Sequence, residues 1–184
     1  IPIDPDFYKP MNAVQKTTAR KELKITEDKK IIAIMPSGQG KIDPIKLSKI
    51  ILQEKDIAIL ALSGKDQKIL KKYKKINNEN IKIIGWTDKI SDYLQLCDLV
   101  ITKPGGLTIS ECLAIKKPVL LINPIPGQEE KNIKYVTSAG LGTVLEDENH
   151  WLETWNKIQK KDWPTEKSPL LATSVILDNI IKII

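Results

Sequence analysis

Two proline-glycine turns, each closing an apolar run and opening a helical pattern, carry the residues best suited to chemistry. Pro104-Gly105-Gly106 follows the run Asp98-Leu99-Val100-Ile101-Thr102, and Pro124-Ile125-Pro126-Gly127 follows Val119 to Ile122. Glycine lets a ligand approach the backbone closely, and the free N–H groups of a helix start attract an anion. Glu111 stands one turn beyond Leu107, about 6 Å further along a helix axis. Helical side chains lean toward the N-terminus, so its carboxylate points back at the glycine turn. A carboxylate there suits the hydroxyls of a ribose and repels a second phosphate, which favours a nucleoside over a bare phosphate. In the following loop Gln128, Glu129 and Asn132 can all bond hydroxyls. An anion site, a pentose reader and hydroxyl-binding side chains together point to a nucleotide-sugar.

The elements that must hold these residues alternate along the chain. Strands are expected at Lys30 to Met35, Asp56 to Leu62, Ile81 to Ile84, Asp98 to Thr102, Val119 to Ile122 and Gly142 to Leu145. Helical patterns fall at Asn12 to Leu23, Pro44 to Glu54, Asp66 to Lys75, Ile90 to Cys97, Leu107 to Lys116, from Gln128, and from Asn149 to Gln159. Six strands alternating with helices predict an α/β fold, a doubly wound, Rossmann-like parallel sheet with right-handed crossovers. Ligands of such sheets lie beyond the carboxyl ends of the strands. The turns at Ser37 to Gly40, Gly85 to Asp88, Pro104 to Thr108 and Pro126 to Asn132 all fall at that edge. Ile1 to Pro10 is punctuated by prolines and is expected to be a linker or hinge without helix. Trp151, Trp155 and Trp163 are expected to pack, and His150, at a helix start, to cap or face solvent. Leu170 to Ile184 reads as an apolar helix whose outer face needs cover.

Composition narrows the function. The chain has 184 residues, 41% hydrophobic and 28% charged, as one globular domain requires. Its net charge of +6 comes almost wholly from lysine, Arg20 being the single arginine, and aromatics make up 5%. Nucleic-acid binders rely on bidentate arginine and stacked aromatics, so that class is set aside. A solvated lysine surface is the simpler explanation of the charge, and attraction to an anionic membrane surface the functional one. No apolar run reaches the ~18 residues of a membrane span, and no leader resembling a signal peptide is present. Cys97 and Cys112 lie in apolar patterns and read as buried thiols of a reducing compartment. Asp4-Pro5-Asp6 has a metal-binding spacing but lies between prolines rather than at a strand end, so no metal and no cofactor are expected. A chain starting at Ile1 reads as a piece of a longer protein.

Lys103-Pro104-Gly105-Gly106-Leu107-Thr108-Ile109-Ser110-Glu111, with Asn123-Pro124-Ile125-Pro126-Gly127-Gln128-Glu129-Glu130-Lys131-Asn132, resembles the C-terminal, donor-binding half of a known group. These are the monogalactosyldiacylglycerol synthases and processive diacylglycerol glucosyltransferases. The lipid-linked N-acetylglucosaminyltransferase of peptidoglycan synthesis is more distantly similar. The likeness runs through residues 1–145, beginning with an Ile1-Pro2-Ile3 opening similar to the passage between the two halves of these enzymes. It implies the C-terminal half of a GT-B glycosyltransferase, with residues 1–10 as interdomain linker, 11–184 as donor domain and the acceptor half outside this chain.

By matching positions, Gly105, Gly106, Leu107 and Thr108 would hold the diphosphate through backbone N–H groups, and Ser37, Gly38, Gln39 and Gly40 would close over it. The Pro-Ser-Gly-Gln-Gly loop departs from the group's usual run of glycines. Glu111 would bind ribose, Trp86 and Thr87 would border uracil, and Gln128, Glu129 and Asn132 would hold the sugar. The implied reaction is metal-independent, inverting transfer of a hexose from a UDP-sugar substrate to a lipid acceptor, in the cytoplasm or on the inner face of the cell membrane. The general base would come from the acceptor half, so this chain alone would bind donor without turnover. Alternatives are half of a UDP-sugar 2-epimerase, a separate donor subunit docking on a membrane partner, and a non-catalytic α/β binding module.

Overall fold

Short runs of isoleucine, leucine and valine, each too short for a helix to bury, form the sheet at the centre of the chain. The computed structural model describes residues 2–36 and 40–161. Its strands are β1 (Lys30–Ile34), β2 (Ile57–Gly64), β3 (Ile81–Gly85), β4 (Leu99–Thr102), β5 (Val119–Leu121) and β6 (Gly142–Val144). All pair in parallel, in the order β3-β2-β1-β4-β5-β6. Parallel sheets are covered on both faces, which explains why these strands lack polar alternation. Ile31, Ala33 and Val100 face one core, while Ile32, Ile34 and Ile101 face the other.

The helices are α1 (Ala13–Glu22), α2 (Pro44–Ile51), α3 (Gln67–Tyr73), α4 (Ile90–Leu96), α5 (Gly106–Ala114), α6 (Glu130–Ser138) and α7 (Trp151–Gln159). Leu47 and Ile51 of α2, Tyr73 of α3 and Trp151, Trp155 and Ile158 of α7 fill one core. Leu94 of α4, Ile109, Cys112 and Leu113 of α5 and Val136 of α6 fill the other. The expected doubly wound sheet is therefore present. Its order reverses between β1, which leads outward to β2, and β4, which leads the opposite way to β5. Loops leaving those two central strands diverge, and the crevice between them is where such sheets take ligands. The helix expected from Gln128 begins at Glu130, because Gly127 adopts φ +74° and donates its N–H to Glu130 Oε1 at 2.9 Å.

The proline-rich opening differs from expectation. Pro5–Tyr8 forms one 3₁₀ turn, capped by the Asp4 carboxylate, which accepts the Asp6 N–H at 2.9 Å. Proline is excluded from a helix interior but is suited to its first position, where no N–H is needed. Phe7 is buried in the core. Ser91 Oγ donates to Asp6 O at 3.1 Å, Gln95 Nε2 donates to Lys9 O at 3.1 Å, and Gln95 Oε1 accepts the Met11 N–H at 2.7 Å. A segment expected to be a linker or hinge without helix thus holds one 3₁₀ turn and is strapped along α4.

Several smaller expectations can be placed. Trp151 and Trp155 are buried and stacked, with ring centroids 5.7 Å apart. His150 is exposed at the foot of α7 and makes no capping bond. Cys97 and Cys112 are buried free thiols, and burial pushes the Cys97 thiol up to about 12 and Cys112 higher still. Arg20 holds a turn, donating to Thr26 O at 2.9 Å and Lys29 O at 3.2 Å. Among the described residues no helix is long and apolar enough to cross a membrane, and no group of three or more His, Cys, Asp or Glu could hold a metal. Trp163 and the helix expected at Leu170 to Ile184 lie outside the described residues.

Candidate functional site

The site is built on the start of α5. Gly105 caps this helix without a side-chain bond, and its own N–H donates to Lys103 O at 2.7 Å. Ile109 N–H to Gly105 O, at 3.0 Å, closes the first helical turn. The N–H groups of Gly106, Leu107 and Thr108 therefore have no acceptor among the described residues, as a first turn dictates. They present three donors and the positive end of the helix dipole at the central crevice. Asn132, on α6, braces this turn by donating from Nδ2 to Pro104 O at 2.8 Å.

Glu111 projects from the same helix, five residues and about 7.5 Å of rise beyond Gly106. Its side chain is half-buried and makes no hydrogen bond or ion pair among the described residues. Burial, and next the charge of Asp4 on the strapped opening segment, push its carboxyl up to about 7. A half-buried carboxylate without a partner among the described residues is open to donors from a ligand. Two hydroxyls of a ligand would supply the missing donors.

Trp86 and Thr87 follow β3, three strands from β4 and thus about 14 Å away across the sheet. That span suits an extended nucleoside diphosphate lying across the strand ends. Trp86 is 65% exposed, with Lys65 Nζ 5.4 Å from its ring centroid. The Thr87 hydroxyl accepts the Lys89 N–H at 3.0 Å and keeps its own proton to donate.

The three residues expected to meet the sugar fare differently. Gln128 is exposed at the loop tip, and Asn132 retains its Oδ1 after bracing Pro104. Glu129 is buried, one carboxylate oxygen accepting the Ile125 N–H at 2.9 Å and the other lying 3.7 Å from Lys103 Nζ. Its carboxylate is engaged within the protein.

Of the loop after β1, Ser37, Gly38 and Gln39 lie outside the described residues. Gly40 is described, and its lack of a side chain makes room for Asn123, since a Cβ would lie 2.1 Å from Asn123 Cγ. Asn123 grips the same loop, its Oδ1 accepting the Ile42 N–H at 2.8 Å and its Nδ2 donating to Ile42 O at 2.7 Å. It does so from φ +50°, a conformation asparagine tolerates better than most residues. This clamp joins the loops of β1 and β5 above the crevice. A groove of about 650 Å³, lined by Ile42, Pro124, Ile125, Ile133 and Leu145, opens beside it.

Sequence reasoning did not single out Asn123 or Lys103. Asn123 carried a signal, an Asn-Pro pair directly after a strand. Lys103 had only its place beside the glycine turn.

The chain is similar to proteins of known name. It is 28% identical to the processive diacylglycerol beta-glucosyltransferase of Bacillus subtilis (strain 168), over 84% of this chain and 41% of the relative. To that of Bacillus pumilus (strain SAFR-032) it is 29% identical, over 84% of this chain and 40% of the relative. The chain thus spans about two-fifths of the length of these relatives.

Among solved structures it resembles WaaG, a glycosyltransferase involved in lipopolysaccharide biosynthesis, with a TM-score of 0.63 at 17% identity, covering 86% of this chain and 46% of WaaG. Anabaena HepE in complex with UDP-glucose gives a TM-score of 0.63 at 16% identity over 86% of this chain and 46% of HepE. The UDP co-structure of S. aureus MnaA gives 0.60 at 16% identity over 82% of this chain and 41% of MnaA. At such identities these structures establish the fold, a Rossmann-like half of the GT-B type. Residues 12–162 match the glycosyltransferase family 28 C-terminal domain, and this chain belongs to that family.

Proposed function

We propose that this chain is the donor-binding half of a glycosyltransferase that moves a hexose from a UDP-sugar to a lipid hydroxyl. One observation carries the reading: three N–H groups and a half-buried Glu111, all without partners among the described residues, stand on the same short helix at the central crevice. The first suits a diphosphate and the second a ribose. The names of the Bacillus relatives support a diacylglycerol acceptor and a glucosyl donor.

In this reading the acceptor hydroxyl attacks the anomeric carbon from the face opposite UDP, the bond to the β-phosphate oxygen breaks, and configuration inverts. UDP departs with an added negative charge. Fixed N–H donors stabilise such charge, each contributing about 3 kcal/mol to the barrier in comparable oxyanion sites. The reading needs no metal. Trp86 offers a face to uracil, and Gln128 and the Oδ1 of Asn132, which has no donor among the described residues, reach the sugar. Glu129 belongs to the supporting loop rather than to the sugar. Residues 2–10 lead from an acceptor half that supplies the general base. The lysine-rich surface favours an anionic membrane face as the place of work.

The test uses the protein with both halves, labelled UDP-glucose and vesicles containing diacylglycerol. A labelled glycolipid is expected. Epimerised nucleotide-sugar without glycolipid would overturn the proposal in favour of a 2-epimerase. A wild-type chain showing no calorimetric response to millimolar UDP would reduce it to a non-catalytic α/β module.

A further inference from the structure

We propose that Lys103 is the cation that meets the donor's diphosphate, and that Glu129 is the residue that positions it. The inference rests on the donor-site reading above and deepens it. The lysine leaves the carboxyl end of β4 directly before the glycine turn, with its side chain 40% exposed. Its Cε lies 3.7 Å from where a Cβ on Gly105 would stand, so the arm runs alongside the turn that opens α5. Its Nζ stands 3.7 Å from Glu129 Oε1, whose side chain is only 6% exposed.

Glu129 is itself immobilised. Its Oε2 accepts the Ile125 N–H at 2.9 Å, its N–H donates to Ile125 O at 3.1 Å, and its carbonyl accepts from the N–H groups of Asn132 and Ile133, each at 3.1 Å. Asn132 in turn fixes Pro104. The carboxylate, the lysine arm and the glycine turn thus form one braced unit. At 3.7 Å the ammonium is close enough to be held by charge but too far for a short hydrogen bond, so its three protons remain available. A diphosphate at the Gly106–Thr108 donors would bring its oxygens beside that ammonium. Helix N–H groups supply only partial charge. A full cation next to them would answer the charge that UDP gains on leaving.

The competing explanation is that Lys103 serves only as counterion to the buried Glu129. The two are separable, because uridine has no phosphate and a counterion role concerns stability alone. UDP affinity is measured by calorimetry, and uridine affinity by displacement of UDP. Lys103→Met should weaken UDP by about 10–100-fold, the loss of a hydrogen bond to a charged group, and leave uridine nearly unchanged. Lys103→Arg should retain most UDP affinity. Because Lys103→Met leaves a buried carboxylate unpaired, the double variant Lys103→Met/Glu129→Gln serves as the folding control. It should recover thermal stability without recovering UDP affinity. Wild-type binding of UDP with an unaltered UDP-to-uridine ratio in the stable double variant would overturn the role of Lys103 alone. Failure of the wild-type chain to bind UDP would overturn the donor-site reading and this inference with it.

Discussion

Glu111→Ala is expected to weaken UDP binding by about 1.5–3 kcal/mol, the value of hydrogen bonds to a charged group. The fold should tolerate the change, because the carboxylate has no partner to leave unsatisfied among the described residues. Affinity for UDP equal to wild type would remove Glu111 from the pentose role.

The same residue predicts a pH dependence. Burial, reinforced by Asp4, raises its carboxyl from an ordinary 4.5 to about 7, so the folded chain prefers the protonated form. The stability this contributes is complete below pH 4.5 and is lost as pH rises through 7. Donor binding runs the other way. Ribose hydroxyls donate to the ionised carboxylate, so affinity should climb as pH approaches 7 and level off above it, with a proton released on binding near pH 6. UDP-glucose is the probe of choice, since its diphosphate has no ionisation near neutrality. Calorimetry in buffers of different ionisation enthalpy would count the proton. An undiminished pH slope in Glu111→Gln would assign the titration to another group.

The largest effect on stability is expected at Trp151. This side chain is 1% exposed, stacks on Trp155 and closes the core beneath β1 and β4 together with Leu47 and Ile51 of α2. Trp151→Ala should cost about 3–5 kcal/mol in urea denaturation, as large-to-small changes in packed cores do. Its Nε1 finds no acceptor among the described residues. Trp151→Phe therefore removes volume and an unsatisfied donor together and should cost clearly less than the alanine. An alanine variant with the wild-type midpoint, or a phenylalanine variant as damaged as the alanine, would contradict this account of the core.

The sheet was legible because its evidence is local. A strand covered on both faces must be apolar at every position, and residues such as Ile31 to Ile34 and Leu99 to Ile101 have no other reading in runs so short. The start of α5 was legible for a similar reason, since Pro104-Gly105-Gly106 can neither continue a strand nor cap with a side chain. The opening segment was not legible. Phe7 is buried because Ser91 and Gln95 hold the backbone around it from about 85 residues away, and no pattern within ten residues encodes that. Glu129 shows a different limit. A carboxylate in a site loop can bond sugar hydroxyls or its own loop's N–H groups, and the bond to Ile125 N–H and the nearness of Lys103 Nζ come from the fold rather than from any local pattern. Gly40 makes the same point, for its missing side chain accommodates Asn123, a residue remote in sequence.

The central claim is that a uridine nucleotide lies along the carboxyl edge of the sheet, its phosphates at the start of α5. Amide chemical shifts of the isotopically labelled chain, followed as UDP is added, test this residue by residue. The account predicts the largest saturable changes at Gly106, Leu107 and Thr108, with the Trp86 indole N–H moving in the same titration. Changes confined to the opposite edge, around Lys116 and Lys117, or no saturable change at the start of α5, would contradict it.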